Sequence, residues 1–119
     1  MVAYGGGREA ARTLQTFQLL GLAAGQDVAV VTVHRDGSQA EATATLAGEF
    51  LTAHGTPHLL CPIASEAAPA DVLLEELRRR RAGLLVMGAH AHHPLRDLFA
   101  TSVTKAVLAE CSIPTFVGA

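Results

Sequence analysis

Glycine residues stand where phosphate chemistry could occur near the start of this 119-residue chain. Gly5, Gly6 and Gly7 follow a short apolar run and precede a segment of helical periodicity, so their backbone amides could receive an anion at a helix N-terminus. Their spacing matches neither the dinucleotide fingerprint nor the P-loop, which needs lysine and a hydroxyl residue after the glycines. A plain flexible turn is the simpler interpretation, and a conventional P-loop enzyme is disfavoured.

A second candidate for phosphate binding is the segment 88–104, GAHAHHPLRDLFATSVT. A predicted strand ends there and a predicted helix follows. It resembles the signature of the universal stress protein family. In that signature a glycine, two residues, a second glycine, nine residues and a third glycine followed by Ser or Thr wrap the phosphates of a nucleotide. Here these positions are Gly88, Ala91, Thr101 and Ser102. Because glycine permits positive φ and close backbone approach, each added Cβ is expected to cost about 1 kcal/mol of strain and to obstruct phosphate.

The start of the chain also resembles that family, whose first strand commonly ends in an acidic residue followed by glycine and serine. Gly5 replaces the acid, and the resemblance implies that this acid helps to hold the nucleoside. The resemblance also places His34 beside the adenosine pocket. The predicted site is thus a degenerate nucleotide site of Gly5, His34, Gly88, Ala91, Thr101, Ser102 and Thr104. Ser102 and Thr104 could equally be ordinary helix hydroxyls that bond their own helix carbonyls.

Histidines and cysteines allow a different chemistry. His90, His92 and His93 crowd one loop and could bind a metal, but adjacent ligands rarely suffice and a solvated loop is the simpler interpretation, so no metal site is predicted. Cys61 and Cys111 adjoin apolar runs and are interpreted as core thiols in a reducing compartment. A metal or redox sensor built on these residues stays an alternative.

Elements that could position these residues alternate along the chain. Apolar runs predict strands at Val2–Tyr4, Val28–Val33, His58–Ile63, Leu84–Met87 and Thr115–Val117. Helical spacing predicts a first helix through Ala10, Leu14 and Phe17 that Gly25 closes, and a second that Ser38 caps and Gly55 ends. A third helix is predicted from Pro69, with Arg78 to Arg81 in its last turn, and a fourth from Pro94 to Glu110.

This alternation predicts one α/β domain over residues 1–119: a three-layer α/β/α sandwich around a five-stranded parallel sheet. We expect the strand order 3-2-1-4-5, in the manner of adenine-nucleotide alpha-hydrolase-like folds. Ligands of such sheets bind outside the carboxyl ends of the strands, here the loops after Tyr4, Val33 and Met87.

Composition excludes several classes of function. A net charge of −2 and the lack of a basic stripe argue against nucleic acid as a partner, and no segment is long and apolar enough to predict a membrane span or a signal peptide. A cytoplasmic protein is expected. No GxSxG nucleophile motif occurs, so an enzyme is doubtful.

Together these features predict a regulatory stress-response module whose nucleotide binding is weak or lost, acting through a protein partner and needing no cofactor. An ATP-binding member of the family with slow or no hydrolysis is the alternative. The resemblance implies a homodimer through the last strand, or a pseudo-dimer with a tandem domain, because the short first strand resembles the start of a second tandem half.

Overall fold

Strands and helices alternate along the chain in a computed structural model that describes residues 1–88 and 103–118. The elements are β1 Val2–Ala3, α1 Arg8–Leu19, β2 Val28–His34, α2 Gly37–Ala53, β3 His58–Ala64, α3 Pro69–Arg80, β4 Leu85–Gly88 and β5 Thr115–Gly118. A further helical segment covers 103–110. The part of the predicted fourth helix that precedes 103 lies outside the described residues.

The sheet has five parallel strands in the order β3-β2-β1-β4-β5, which confirms the predicted fold class. The two residues of β1 stand at its centre: Val2 pairs with Val30 on one side and with Val86 on the other. β1 therefore joins the two halves of the sheet. The β-branched residues that fill β2 suit a strand that is covered on both faces.

Helices cover both faces of the sheet and enclose two apolar cores. One core contains Leu14 and Phe17 of α1 with Ala47 and Leu51 of α2. The other contains Leu73, Leu74 and Leu77 of α3 together with Val107 from the helical segment 103–110. This is the three-layer arrangement that the alternation predicts.

Two helix ends differ from the sequence prediction. Asp36, not Ser38, caps α2: its carboxylate accepts hydrogen bonds from the Ser38 backbone at 2.9 Å and from the Ser38 hydroxyl at 2.8 Å. These bonds lower the pKa of Asp36. Helix α1 ends at Leu19, well before Gly25, because the chain turns already at Gly21, where φ is +70°.

The predicted α3 is confirmed, with Pro69 in its first turn and arginines in its last. Arg81 ends the helix in the left-handed conformation. Glu76 is buried and accepts hydrogen bonds from Arg79 and Arg80. Within residues 1–88 and 103–118, none of the helices combines the length and the apolar character that a membrane crossing needs.

Candidate functional site

A cavity of about 400 Å³ opens at the carboxyl edge of the sheet. The strand ends contribute Ala3, Val31, Val33 and Met87. Helix α3 contributes Pro69 and Leu73, and the helical segment 103–110 contributes Val103 and Thr104. The loop after β1 and the first turn of α1 close the remaining side. Small-molecule sites typically enclose roughly 300–1,000 Å³, so this cavity is large enough for a ligand. Its place is the one expected for a parallel sheet.

Gly5, Gly6 and Gly7 form the cavity wall between β1 and α1. Gly7 is the N-cap of α1 and has no side chain to bond the first-turn amides. Gly6 has a φ of +86°, and a Cβ there would lie 3.1 Å from the Thr43 methyl group, so both conformation and space favour glycine. Among the described residues other than its chain neighbours, none comes within 4 Å of where a Cβ on Gly5 would lie. The wall thus has room for a side chain at Gly5 but not at Gly6.

Gly88 ends β4 directly against the first turn of α1. A Cβ on Gly88 would lie 3.1 Å from the backbone nitrogen of Ala10 and 3.3 Å from the carbonyl oxygen of Glu9. The Glu9 carbonyl also accepts a hydrogen bond of 2.7 Å from the Thr13 hydroxyl. The absence of a side chain at Gly88 therefore lets the sheet and α1 approach closely, and this contact fixes the start of α1 at the cavity.

Glu9 is the one charged side chain among the described residues that line the cavity. It is only 5% exposed, and its carboxylate folds back so that Oε2 lies 3.9 Å from the position a Cβ on Gly7 would occupy. The carboxylate has an interaction within the protein. A negative charge in the first turn of a helix is favoured by the helix dipole, but its burial is costly unless polar groups surround it.

Two hydroxyl-bearing residues, Tyr4 and Thr104, also line the cavity, and each is 8% exposed. Burial raises the pKa of Tyr4 above its ordinary value of 10.0. The Tyr4 backbone nitrogen donates to the Val31 carbonyl at 3.0 Å, which holds the chain in the sheet one residue beyond β1. Thr104, at 8% exposure, is buried at the cavity and does not lie on an exposed helix surface.

The structure brings together three of the residues that the sequence suggests: Gly5, Gly88 and Thr104 line the same cavity. His34 lies at the exit of β2, but it is exposed and does not line the cavity; its Nδ1 accepts a hydrogen bond from the Asp36 backbone at 3.3 Å. Ala91, Thr101 and Ser102 lie outside the described residues. The composition of the site over those positions stays a prediction.

Sequence reasoning missed Glu9 as a residue of this site. The signal was present, because Glu9, Thr13 and Phe17 are four residues apart and all three are buried on one face of α1. An acidic residue on the buried face of a helix is uncommon, because acidic side chains are rarely buried without polar partners.

The metal alternative depends on histidines outside the described residues, and the redox alternative depends on two cysteines that the structure describes. No group of three His, Cys, Asp or Glu side chains suited to a metal occurs there, and His90, His92 and His93 lie outside them. Cys61 is in β3, and the Cys111 sulfur lies 3.6 Å from Thr115 Oγ1 in β5. These strands are the two edges of the sheet, about 19 Å apart at roughly 4.8 Å per strand, whereas a disulfide needs Cα atoms within about 7 Å.

Both cysteines are only partly buried, so their interpretation as core residues holds in part. Cys61 receives a hydrogen bond of 2.9 Å from Arg80, which also bonds Glu76. This contact places the Arg80 guanidinium along β3, where its side chain is 24% exposed. Cys61 thus contributes to packing at the edge of the sheet.

Fold and cavity define an α/β domain with a parallel sheet and a cavity at its carboxyl edge. Residues 63–117 match the family model described as Universal stress protein family. None of the curated proteins matches the sequence significantly. Just under half of the chain is therefore similar to the universal stress protein family.

Solved structures show the same fold over almost the whole chain. A universal stress protein from Archaeoglobus fulgidus in complex with dAMP has a TM-score of 0.71 at 20% identity, covering 99% of this chain and 94% of that one. A universal stress protein in complex with cAMP has a TM-score of 0.75 at 20% identity, covering 98% and 93%. A family protein from Burkholderia pseudomallei has a TM-score of 0.71 at 21% identity, covering 98% and 92%.

Proposed function

We propose that this domain is a regulatory stress-response module that binds the nucleoside part of an adenine nucleotide in the cavity and gains little affinity from the phosphates. One observation carries the proposal: the described cavity wall combines apolar strand ends and glycine backbone with a single charged side chain, and that side chain is acidic. An apolar wall suits a base. A carboxylate repels phosphate and accepts hydrogen bonds from neutral donors.

The sequence of the phosphate loop supports the same proposal. Ala91 and Thr101 replace the second and third glycines of the family signature, and a Cβ at either position opposes close approach of the backbone to a phosphate. Related structures hold dAMP and cAMP, which are nucleoside monophosphates. The sequence offers no nucleophile motif, so the output we propose is association with a protein partner and not hydrolysis.

Calorimetric titration of adenosine, AMP and Mg-ATP into the purified, nucleotide-free chain tests this function. We expect saturable binding of adenosine and AMP, with Mg-ATP binding no more tightly than AMP. Tighter binding of Mg-ATP would overturn the proposal in favour of an ATP-binding protein. No saturation by any of the three up to millimolar concentration, with circular dichroism showing an intact fold, would overturn nucleoside binding altogether.

We further propose that two copies associate through β5. This strand is outermost in the described sheet and pairs there with β4 alone, so it has an edge that a second strand could extend. Val117 of β5 is 37% exposed, which adds an apolar contact to such an interface. Light scattering at micromolar concentration should give the mass of a dimer, and a monomer mass would contradict the proposal.

A cytoplasmic location completes the proposal. Cys61 and Cys111 are free thiols on opposite edges of the sheet, and thiols of this kind are usual in a reducing compartment. Fractionation of cells that express the native gene, with detection by an antibody, tests the location. Recovery in the membrane or extracellular fraction would contradict it.

A further inference from the structure

The burial of Glu9 is unusual for a first-turn acid and requires an explanation of its own. Asp71 occupies the first turn of α3, where the helix dipole favours it equally, and it is exposed. Glu9 is 5% exposed and lies at the cavity. Stabilisation of a helix end does not require burial, since the carboxylate of Asp71 remains in water. Glu9 has an interaction within the protein and also lines the cavity, so a ligand there would meet a buried carboxylate.

Three contacts fix where Glu9 stands. Its backbone carbonyl lies against Gly88 and accepts the Thr13 hydroxyl, and its carboxylate lies beside the glycine wall at Gly7. The backbone of Glu9 is therefore held from two sides where the residue lines the cavity, and its carboxylate lies beside the glycine wall. Such preorganisation is what a ligand-binding group needs, since less conformational entropy is then lost on binding.

We propose, building on nucleoside binding as the function of this cavity, that Glu9 is the residue that recognises the ribose by accepting hydrogen bonds from its adjacent hydroxyl groups. A carboxylate has two oxygens with about four acceptor sites, so it can serve a ligand in addition to its partner within the protein. Two vicinal hydroxyls match two carboxylate oxygens. Charge-assisted bonds of this type are stronger than neutral ones, and more so where water is excluded.

The cavity has an apolar side that suits the base and a polar side that suits the sugar. The strand ends supplied by Val31, Val33 and Met87 offer apolar contact to a base, and Glu9 lies on the α1 side of the same cavity. Thr104 is a second polar side chain on the wall, from the opposite face of the sheet. A sugar that carries both of its hydroxyls is therefore the part of the ligand on which selectivity depends.

The experiment compares adenosine with 2′-deoxyadenosine in the full chain and in Glu9→Gln, by calorimetry. We expect the unmodified protein to prefer adenosine by about tenfold or more, the effect of a lost charge-assisted hydrogen bond. In Glu9→Gln the affinity for adenosine should fall toward that for 2′-deoxyadenosine, whose own affinity should change little. Asp71→Asn is the matched control, because it removes a first-turn acid outside the cavity, and it should leave both affinities unchanged.

Each other result has a distinct meaning. Equal affinity of the unmodified protein for both nucleosides, or an equal loss of both in Glu9→Gln, would overturn the ribose assignment while leaving nucleoside binding intact. No binding of either nucleoside to the unmodified protein would overturn the proposed function together with this inference. If circular dichroism shows that Glu9→Gln is unfolded, Glu9→Asp, which keeps the charge and withdraws it by one methylene, should show the same reduced preference.

Discussion

Gly88 and Glu9 are in direct backbone contact: a Cβ on Gly88 would lie 3.1 Å from the carbonyl carbon of Glu9. This contact joins the end of β4 to the first turn of α1 at the point where both line the cavity. The glycine that the family signature assigns to phosphate binding thus has a separate structural reason to be glycine in this chain.

Gly88→Ala should lower the free energy of unfolding by about 1–3 kcal/mol, because the added methyl group overpacks a rigid backbone. Urea denaturation followed by circular dichroism measures the change. Gly83→Ala is the control, since a Cβ there would meet nothing within 4 Å, and it should leave stability within about 0.5 kcal/mol of the unmodified chain. Equal midpoints for the two variants would show that the backbone of α1 can move to accept a methyl group at Gly88.

Restoring glycine to the phosphate loop should raise the affinity for Mg-ATP. Ala91→Gly and Thr101→Gly each remove a Cβ that costs about 1 kcal/mol, equivalent to roughly fivefold in affinity, while adenosine affinity should stay unchanged. Ala24→Gly makes the same chemical change in an exposed turn away from the cavity and should have no effect on either ligand. An unchanged Mg-ATP affinity in both loop variants would mean that other features limit phosphate binding.

Tyr4 should titrate at a pH above 10.0, because its burial disfavours the phenolate and raises its pKa. It is the only tyrosine and the chain has no tryptophan, so ultraviolet absorbance reports this residue alone. The unfolded state therefore loses the phenolic proton of Tyr4 at a lower pH than the folded state does. The contribution of Tyr4 to stability should therefore be constant below pH 10.0 and decline as the pH rises from there toward the folded pKa.

The matched variant for this titration is Tyr4→Phe, which should lose that alkaline component of the stability profile. If the two profiles are parallel above pH 10.0, the hydroxyl is better solvated than the 8% exposure of Tyr4 as a residue indicates.

Val117→Asp should convert the dimer into a monomer, because it places a charge on the proposed β5 interface and buried unpaired charges are costly. Light scattering at several concentrations measures the mass. Leu59→Asp is the control on the opposite edge strand, where Leu59 is 59% exposed, and it should leave the dimer intact. Dissociation by Leu59→Asp with no effect of Val117→Asp would place the interface on β3.

Much of the fold is predictable from sequence, because its signals are repeated and local. The β-branched run of β2 and the turn residues that bound it predict a buried parallel strand, and β2 is found at Val28–His34. The cap of α2 was predicted wrongly because Asp36 and Ser38 are both good N-cap residues. Only the backbone conformation, extended at Asp36, decides between them.

The site is less predictable, since its residues meet through tertiary contacts that no local pattern records. Gly88 could be identified from the family signature, but its contact with Glu9 depends on how closely α1 approaches β4. His34 follows the rule for strand exits, yet its ring turns to the Asp36 backbone and remains exposed. The direction of one side chain at a strand end lies beyond what spacing along the chain can specify.

The space that the described residues leave beside the α-carbon of Gly5 has an evolutionary consequence. Every glycine codon is one base change from a codon for aspartate or glutamate, and the backbone at Gly5 has no positive φ that would exclude a side chain. A lineage that carries this domain can therefore regain an acid at the end of β1 in one mutational step without rebuilding the surrounding fold. Gly5 lines the cavity, so one such step would place a charge where it could alter ligand preference.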